Sequence, residues 1–267
     1  MKDLARQAFV VLGTIAMIVV NALASALPLN GQTTAEISDR FDVYFVPAGY
    51  VFSIWGLIYL GLLAYTIFQA LPAQRENPRL RRTGYLYVLS CAANIAWLFL
   101  WHYEQFVFSL LAMGILLLLL IAIYLRLGIG RMPVRAVETW LVRVPFSIYL
   151  GWITVATVAN ATDVLDYLNW DGWGIGPVVW AILMLIVAGL IAAAVALTRG
   201  DIAYVLVIVW AFAGITVKQI ATLPVAIVAA VVAGLVALTL LIGVPLYSAR
   251  RKRWMTAYPD TPFHDRW

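Results

Sequence analysis

Charge is scarce in this chain. Only 12% of its residues are Asp, Glu, Lys or Arg, against 64% that are hydrophobic, and the mean hydropathy is +0.93. Such a balance cannot clothe an ordinary water-facing surface, which excludes a soluble globule. Cysteine is scarcer still: Cys91 stands alone, so an intrachain disulfide, a thiolate metal cluster and a redox pair are all ruled out. The two histidines, His102 and His264, fall in different segments and give a His-based metal site or catalytic triad little to build from. No apolar run carries a paired acid and base or nucleophile and base, which puts an enzyme behind a binding protein.

What the chain has in abundance is long apolar runs. They fall near residues 8–27, 50–71, 85–101, 106–127, 140–160, 177–198, 202–217 and 223–247. A helix needs about 20 mainly apolar residues to cross a hydrocarbon core of about 30 Å, and only closed backbone hydrogen bonding is tolerated in lipid. The expectation is therefore an all-α, polytopic membrane bundle of eight spans, the seventh being the shortest. Lys2 and Arg6 followed by an apolar stretch and Ala24-Ser25-Ala26 also fit a signal peptide, but the stretch exceeds the usual 7–15 residues, and an uncleaved first helix is preferred.

Basic residues set the orientation, since Lys and Arg are retained in cytoplasmic loops. Eight spans put all but Arg40 and Lys218 of the 18 basic residues on one side. Both termini are then cytoplasmic, in the cell inner or plasma membrane. The acids Glu36, Asp39, Asp42, Glu104, Asp163, Asp166 and Asp171 fall in the opposite loops. The net charge of +5 thus speaks of topology and anionic lipid rather than nucleic acid.

Most connections are short, but residues 28–49 are not. That loop holds Pro28, Gly31, three acids and the aromatics Phe41, Tyr44 and Phe45, ending in Pro47-Ala48-Gly49-Tyr50. A disordered tether seldom carries so many aromatics, and the reading is a folded lid over the outer helix ends. A second outer loop, 163–176, carries Trp170 and Trp173, read as an interfacial aromatic belt. Three units follow: 1–170, a five-helix unit with its lid; 171–250, three further helices; and 251–267, a basic cytoplasmic tail.

Within the spans, polar and aromatic residues recur at helical steps. Helix 2 carries Phe52, Trp55 and Tyr59; helix 3 carries Ser90, Asn94, Trp97 and Trp101; helix 5 carries Tyr149, Trp152, Ala156, Asn160 and Asp163; helix 1 contributes Asn21. Steps of three and four keep each set on one face. At 1.5 Å per residue, Trp55, Asn94, Ala156 and Asn21 all lie roughly 6–10 Å below the outer boundary. For any single one of them helix packing is the simpler role. Together, beneath the one long loop, they form an apolar pocket with a few orienting polar groups.

At these residues the sequence resembles the TspO/MBR family of tryptophan-rich sensory proteins and translocator proteins, over about residues 8–165. Pro47-Ala48-Gly49-Tyr50-Val51-Phe52 with Trp55 and Tyr59 is similar to the family's Pro-Pro-x-Trp-Val-Phe stretch and the Trp and Leu-Tyr after it, with Ala48 at the second proline. Asn94 and Trp97 resemble its Leu-Asn-x-x-Trp element. Tyr149, Trp152, Ala156 and Asn160 match its fifth-helix pattern in spacing as well as type. The resemblance implies a five-helix core and a pocket for tetrapyrroles such as protoporphyrin or haem, or in some branches sterols, among helices 1, 2, 3 and 5. The tetrapyrrole is a ligand, not an obligatory cofactor. Trp55, Trp97 and Trp152 would stack on it and Asn94 and Asn160 would orient its edge. Besides the bilayer and that ligand, a second copy of the chain is a candidate partner. The rival reading is a secondary transporter with an alternating-access cycle, against which no inverted repeat is visible. Sterol motifs at Leu120 to Arg126 and Val244 to Arg250 arise readily at helix ends. Arg143 is expected to snorkel to the surface, as is Lys218, for which the alternative is a water-filled route where it would meet the carboxylates of a tetrapyrrole.

Overall fold

The computed structural model describes residues 2–27 and 29–257; Pro28 and the tail from residue 258, with His264 and Arg266, lie outside the described residues. Among these there are helices and turns and no strand. The eight principal helices are α1 (Lys2–Ala26), α2 (Ile54–Ala70), α3 (Pro78–His102), α4 (Phe106–Arg126), α5 (Val144–Tyr167), α6 (Pro177–Arg199), α7 (Ile202–Lys218) and α8 (Leu223–Ala257). Seven of them, α2 and α5 counted with the turns that lead into them, are long and apolar enough to cross a bilayer. The 17 residues of α7 reach only about 26 Å at 1.5 Å per residue, so the seventh span is the short one expected.

The helix surfaces are inverted relative to a soluble protein. On α1, Leu4, Phe9, Leu12, Ile15, Val19 and Leu23 are all exposed, the face a hydrocarbon solvent covers without cost. Gln7, Thr14 and Asn21 are buried. Their seven-residue spacing, two turns, puts them in one stripe, and each finds partners on a neighbouring helix, as a polar group in lipid must. Gln7 Nε2 donates to the carbonyls of Gln69 (2.6 Å) and Leu71 (3.3 Å). Thr14 Oγ1 meets Thr66 Oγ1 at 2.7 Å and the Tyr87 hydroxyl at 2.9 Å. Asn21 Nδ2 donates to Asn94 Oδ1 at 2.8 Å. The stripe thereby ties α1 to α2 and α3 at three depths.

Two sequence expectations need correction. The fifth helix was expected near 140–160, its face reaching Asp163 at the start of the outer loop that holds Asp166, whereas α5 runs to Tyr167. Apolar runs stop at charges, but the helix continues because Asp163 is only 2% exposed, turned into the bundle. Its entry is also irregular: residues Thr139–Arg143 widen into a π-turn just before Pro145, which has no N–H to return to the preceding turn. Pro145 packs on Gly61 of α2, where an added Cβ would stand 3.1 Å from the proline ring. Arg143 does not snorkel. It is 5% exposed and donates to the carbonyls of Met132 and Leu127, the latter at the end of α4 where helix carbonyls lack intrahelical donors.

The helices beyond residue 170 join the first five mainly through α7, which packs on α5, while α8 packs on α6 and α7. The α6–α8 contact is closest at small residues: a Cβ added at Gly189 of α6 would stand 2.3 Å from Val232, and one added at Gly243 of α8 would stand 2.2 Å from the Ala196 carbonyl. Without a hydrophobic drive between helices in lipid, close backbone approach through such residues is what holds them.

Candidate functional site

The α2, α3 and α5 faces singled out above converge at the end of the bundle that carries the long loop. Because α2 and α3 run in opposite directions, their aromatics interleave into a ladder of near-parallel rings. Trp101 and Trp97 are 6.1 Å apart at 20°, Trp97 and Trp55 6.4 Å at 25°, and Trp55 and Tyr59 5.5 Å at 22°. The α5 side meets this ladder edge-on: Trp152 is 6.2 Å from Trp55 at 81° and 5.6 Å from Phe52 at 79°, within the range aromatic pairs prefer.

A cavity of about 40 Å³ lies between the ladder and α5, lined by Pro47, Phe52, Trp55, Trp97, Trp152, Ala156 and Asn160. Trp101, Met113, Val155, Ala159 and Asp163 complete it, with Thr34 and Ser38 closing it from the loop. The loop folds into a roof. Thr33 caps the short helix Thr34–Ser38 in a reciprocal box with Glu36, whose carboxyl that backbone hydrogen bond holds below its usual range. Ile37, Phe45 and Val46 are buried, Phe41 packs on Trp101 and Phe106, and the Trp101 indole donates to the Thr34 carbonyl at 3.3 Å.

The polar groups divide into engaged and idle. Asn160 Oδ1 accepts the Trp97 indole N–H at 3.3 Å, and Asn160 Nδ2 meets Ser109 Oγ at 3.2 Å. By contrast, Trp152 Nε1 and Asp163 Oδ1 are buried without a hydrogen-bond partner, and Asn94 Nδ2 and the Tyr149 hydroxyl make no bond beyond a loose contact with each other. The Trp152 indole N–H is thus an idle donor, and an unpaired buried donor costs about 1–3 kcal/mol.

The family model described as TSPO-like protein matches residues 7–242. The chain belongs to the TSPO-like family. The match continues through α6 and α7 into α8, well past the motifs that end near residue 165. No curated protein and no solved structure matches the chain.

Of the residues expected at the site of this TSPO-like protein, seven line the cavity. Asn21, Asn94, Tyr59 and Tyr149 stand in a second layer: Asn21 holds Asn94, Tyr59 stacks on Trp55, and Tyr149 lies 6.0 Å from Trp55. Tyr50 is elsewhere. Half-exposed, it packs on Trp210 of α7 at 5.4 Å. Lys218 neither snorkels free nor lines the cavity; it pairs with Asp39 of the loop at 2.6 Å. Ser109 and Met113, both on α4, were missed, and a lone Ser or Met in an apolar helix gives no signal that would have found them.

Proposed function

We propose that this TSPO-like protein binds a flat, hydrophobic, acceptor-bearing ligand of the tetrapyrrole type, a porphyrin or haem, at the loop end of the bundle. The observation that carries the reading is the ladder of parallel rings next to the idle Trp152 indole N–H and the loosely engaged Asn94–Tyr149 pair. Stacking would hold the plane of the ligand, and Trp152 Nε1, Asn94 Nδ2 and the Tyr149 hydroxyl would receive acceptors such as carboxylates. The chemistry available is that of a binder, in sensing or translocation, not of a catalyst.

The fit requires opening. A cavity of about 40 Å³ holds water and falls far short of the 300–1,000 Å³ of ordinary ligand sites. The ligand therefore enters by displacing the roof and parting the ladder, and association is slow, below the 10⁵–10⁷ M⁻¹s⁻¹ of preformed partners. The distribution of basic residues supports placing the loop end outside and both termini in the cytoplasm.

The test is a titration of the purified protein with protoporphyrin, read by quenching of tryptophan fluorescence. Trp55→Ala and Asn94→Leu should weaken binding. Ala156→Phe, which fills the space between Trp152 and Asn160, should abolish it while the protein stays folded. A folded Ala156→Phe protein with unchanged affinity would remove the site. If the face instead packs too tightly to accept the ring, that variant loses about 1–3 kcal/mol of stability with or without ligand.

A further inference from the structure

A larger cavity, about 800 Å³, runs along the α2–α5–α7 side of the bundle, from Ser53 and Ile54 down to the end where the basic residues gather. Its floor is α5 at Val144, Ser147 and Ile148, and its walls are α2 at Ile54 and Leu57 and α7 at Ala203, Leu206, Val207 and Trp210. The α7 positions, three, one and three residues apart, form one apolar stripe. Leu57 and Leu206 are each 52% exposed and Trp210 39%, so the cavity is open at the side, toward lipid. It is closed above, where the Trp210 indole donates to the Val51 carbonyl at 3.3 Å and packs on Tyr50.

The length of this crevice matches one leaflet. From Asp201 to Trp210 is nine residues, about 14 Å along a helix at 1.5 Å per residue, and half a hydrocarbon core is about 15 Å. Trp140, 69% exposed at the rim, marks the interfacial level where indoles gather.

The opposite end of the crevice, at the start of α7, is polar and positive. Arg143 and Arg199 both line it. Arg143 is 5% exposed and its Nε has no hydrogen-bond partner, while Arg199 spends one donor on the Ile129 carbonyl at 3.1 Å. The carboxylate present, Asp201, is already engaged: Tyr124 and Ser147 hydroxyls donate to Oδ2 at 2.8 and 2.6 Å, and the Tyr204 amide donates to Oδ1 at 3.1 Å. Glu138 nearby is paired with Arg79. Arg131 and Arg135, exposed on the adjoining loop, add to the excess. Guanidinium groups with free N–H donors at the base of an apolar slot are complementary to a phosphate bearing an acyl chain.

We propose that this crevice is a lipid site, taking one acyl chain of an anionic phospholipid from the leaflet at the basic end, with the phosphate on Arg143 Nε and Arg199. The site is separate from the aromatic pocket and does not depend on what that pocket binds.

Native mass spectrometry of the delipidated full chain, supplied with phosphatidylglycerol, phosphatidylcholine or inorganic phosphate, tests it. The wild type should retain phosphatidylglycerol about tenfold better than phosphatidylcholine, because both offer the phosphate but the choline cation of the second is repelled by the surrounding arginines, a difference of about 1.4 kcal/mol. Arg199→Gln should bring the two lipids level. Leu206→Trp, and independently Ala203→Leu should the larger residue fail to fold, should displace both lipids while leaving porphyrin quenching intact. Equal retention of the two lipids by the wild type overturns the proposal, as does retention unaffected by both crevice-filling variants. Displacement of phosphatidylglycerol by an equal concentration of inorganic phosphate also overturns it, since the occupant is then a free anion.

Discussion

At the scale of single residues, this bundle is specified by the few polar side chains it buries. Thr14 is the centre of one such junction, its hydroxyl donating to the Val10 carbonyl at 2.8 Å and lying within hydrogen-bond reach of both Thr66 and Tyr87. Valine has the same shape without the hydroxyl. An interhelical hydrogen bond in a membrane protein averages about 0.6 kcal/mol, and three hydroxyls share this point, so Thr14→Val should cost about 1–2 kcal/mol. Because the groups act as a unit, Tyr87→Phe added to it should cost much less than it does alone. Unfolding in a detergent–denaturant series measures both. Additive losses would mean that α1 is held by packing alone.

At the scale of elements, the irregular entry to α5 is fastened by an ion pair. Arg79, near the start of α3, meets Glu138 with two parallel contacts, Nε to Oε1 at 2.5 Å and Nη2 to Oε2 at 2.7 Å, with both side chains largely buried. Removing one charge strands the other, at about 3–5 kcal/mol, whereas replacing both with apolar residues is often close to neutral. Glu138→Gln should therefore lower thermal stability sharply, and Arg79→Met with Glu138→Leu should regain most of it. A double variant as unstable as the single one would show that the pair carries more than its own charge balance, as a fixed anchor for the π-turn behind it.

The same elements show where the sequence could be read and where it could not. Apolar length places the eight principal helices, because a lipid solvent enforces it directly. The three aromatic faces were legible for a related reason: Phe52, Trp55 and Tyr59, Asn94 and Trp97, and the Tyr149–Asn160 set each keep a helical step, and depth follows from rise per residue. What failed was local. The fifth helix was read too short because hydropathy does not register a carboxyl turned inward at Asp163, and Arg143 looked like a surface residue because nothing in its neighbours announces the Leu127 and Met132 carbonyls that hold it. Tyr50 sits within the Pro47–Phe52 motif yet faces α7, a partner more than 150 residues away whose position no short-range pattern gives. Nor could spacing tell that the pocket is closed down to about 40 Å³.

At the scale of the whole molecule, the helices beyond residue 170 hold the roof of the pocket. Gly214 of α7 lies so close to the loop that an added Cβ would stand 2.2 Å from Val51 Cγ2 and 3.1 Å from Pro47 Cβ, and the Gly214 carbonyl accepts the Ala48 amide at 3.2 Å. Gln219 donates to the Val43 carbonyl at 3.4 Å, and Lys218 pairs with Asp39. If ligand leaves only when the roof lifts, these contacts set its off-rate. The Lys218–Asp39 pair is partly exposed, at 25% and 55%, and such pairs are worth about 0.2–1 kcal/mol. Lys218→Gln should thus accelerate porphyrin dissociation about 1.5- to 5-fold with little change in thermal stability, by the usual conversion of free energy to rate. Salt screens the same pair, so the wild-type off-rate should rise toward that of Lys218→Gln as ionic strength increases, and the variant's own rate should be nearly flat. Gly214→Val, which pushes Val51 and Pro47 away, should have the larger effect, and shortening residues 31–42 should act in the same direction. Stopped-flow recovery of tryptophan fluorescence reads all four, and off-rates unchanged in Lys218→Gln and Gly214→Val together would reduce α7 to a scaffold and the loop to a connector.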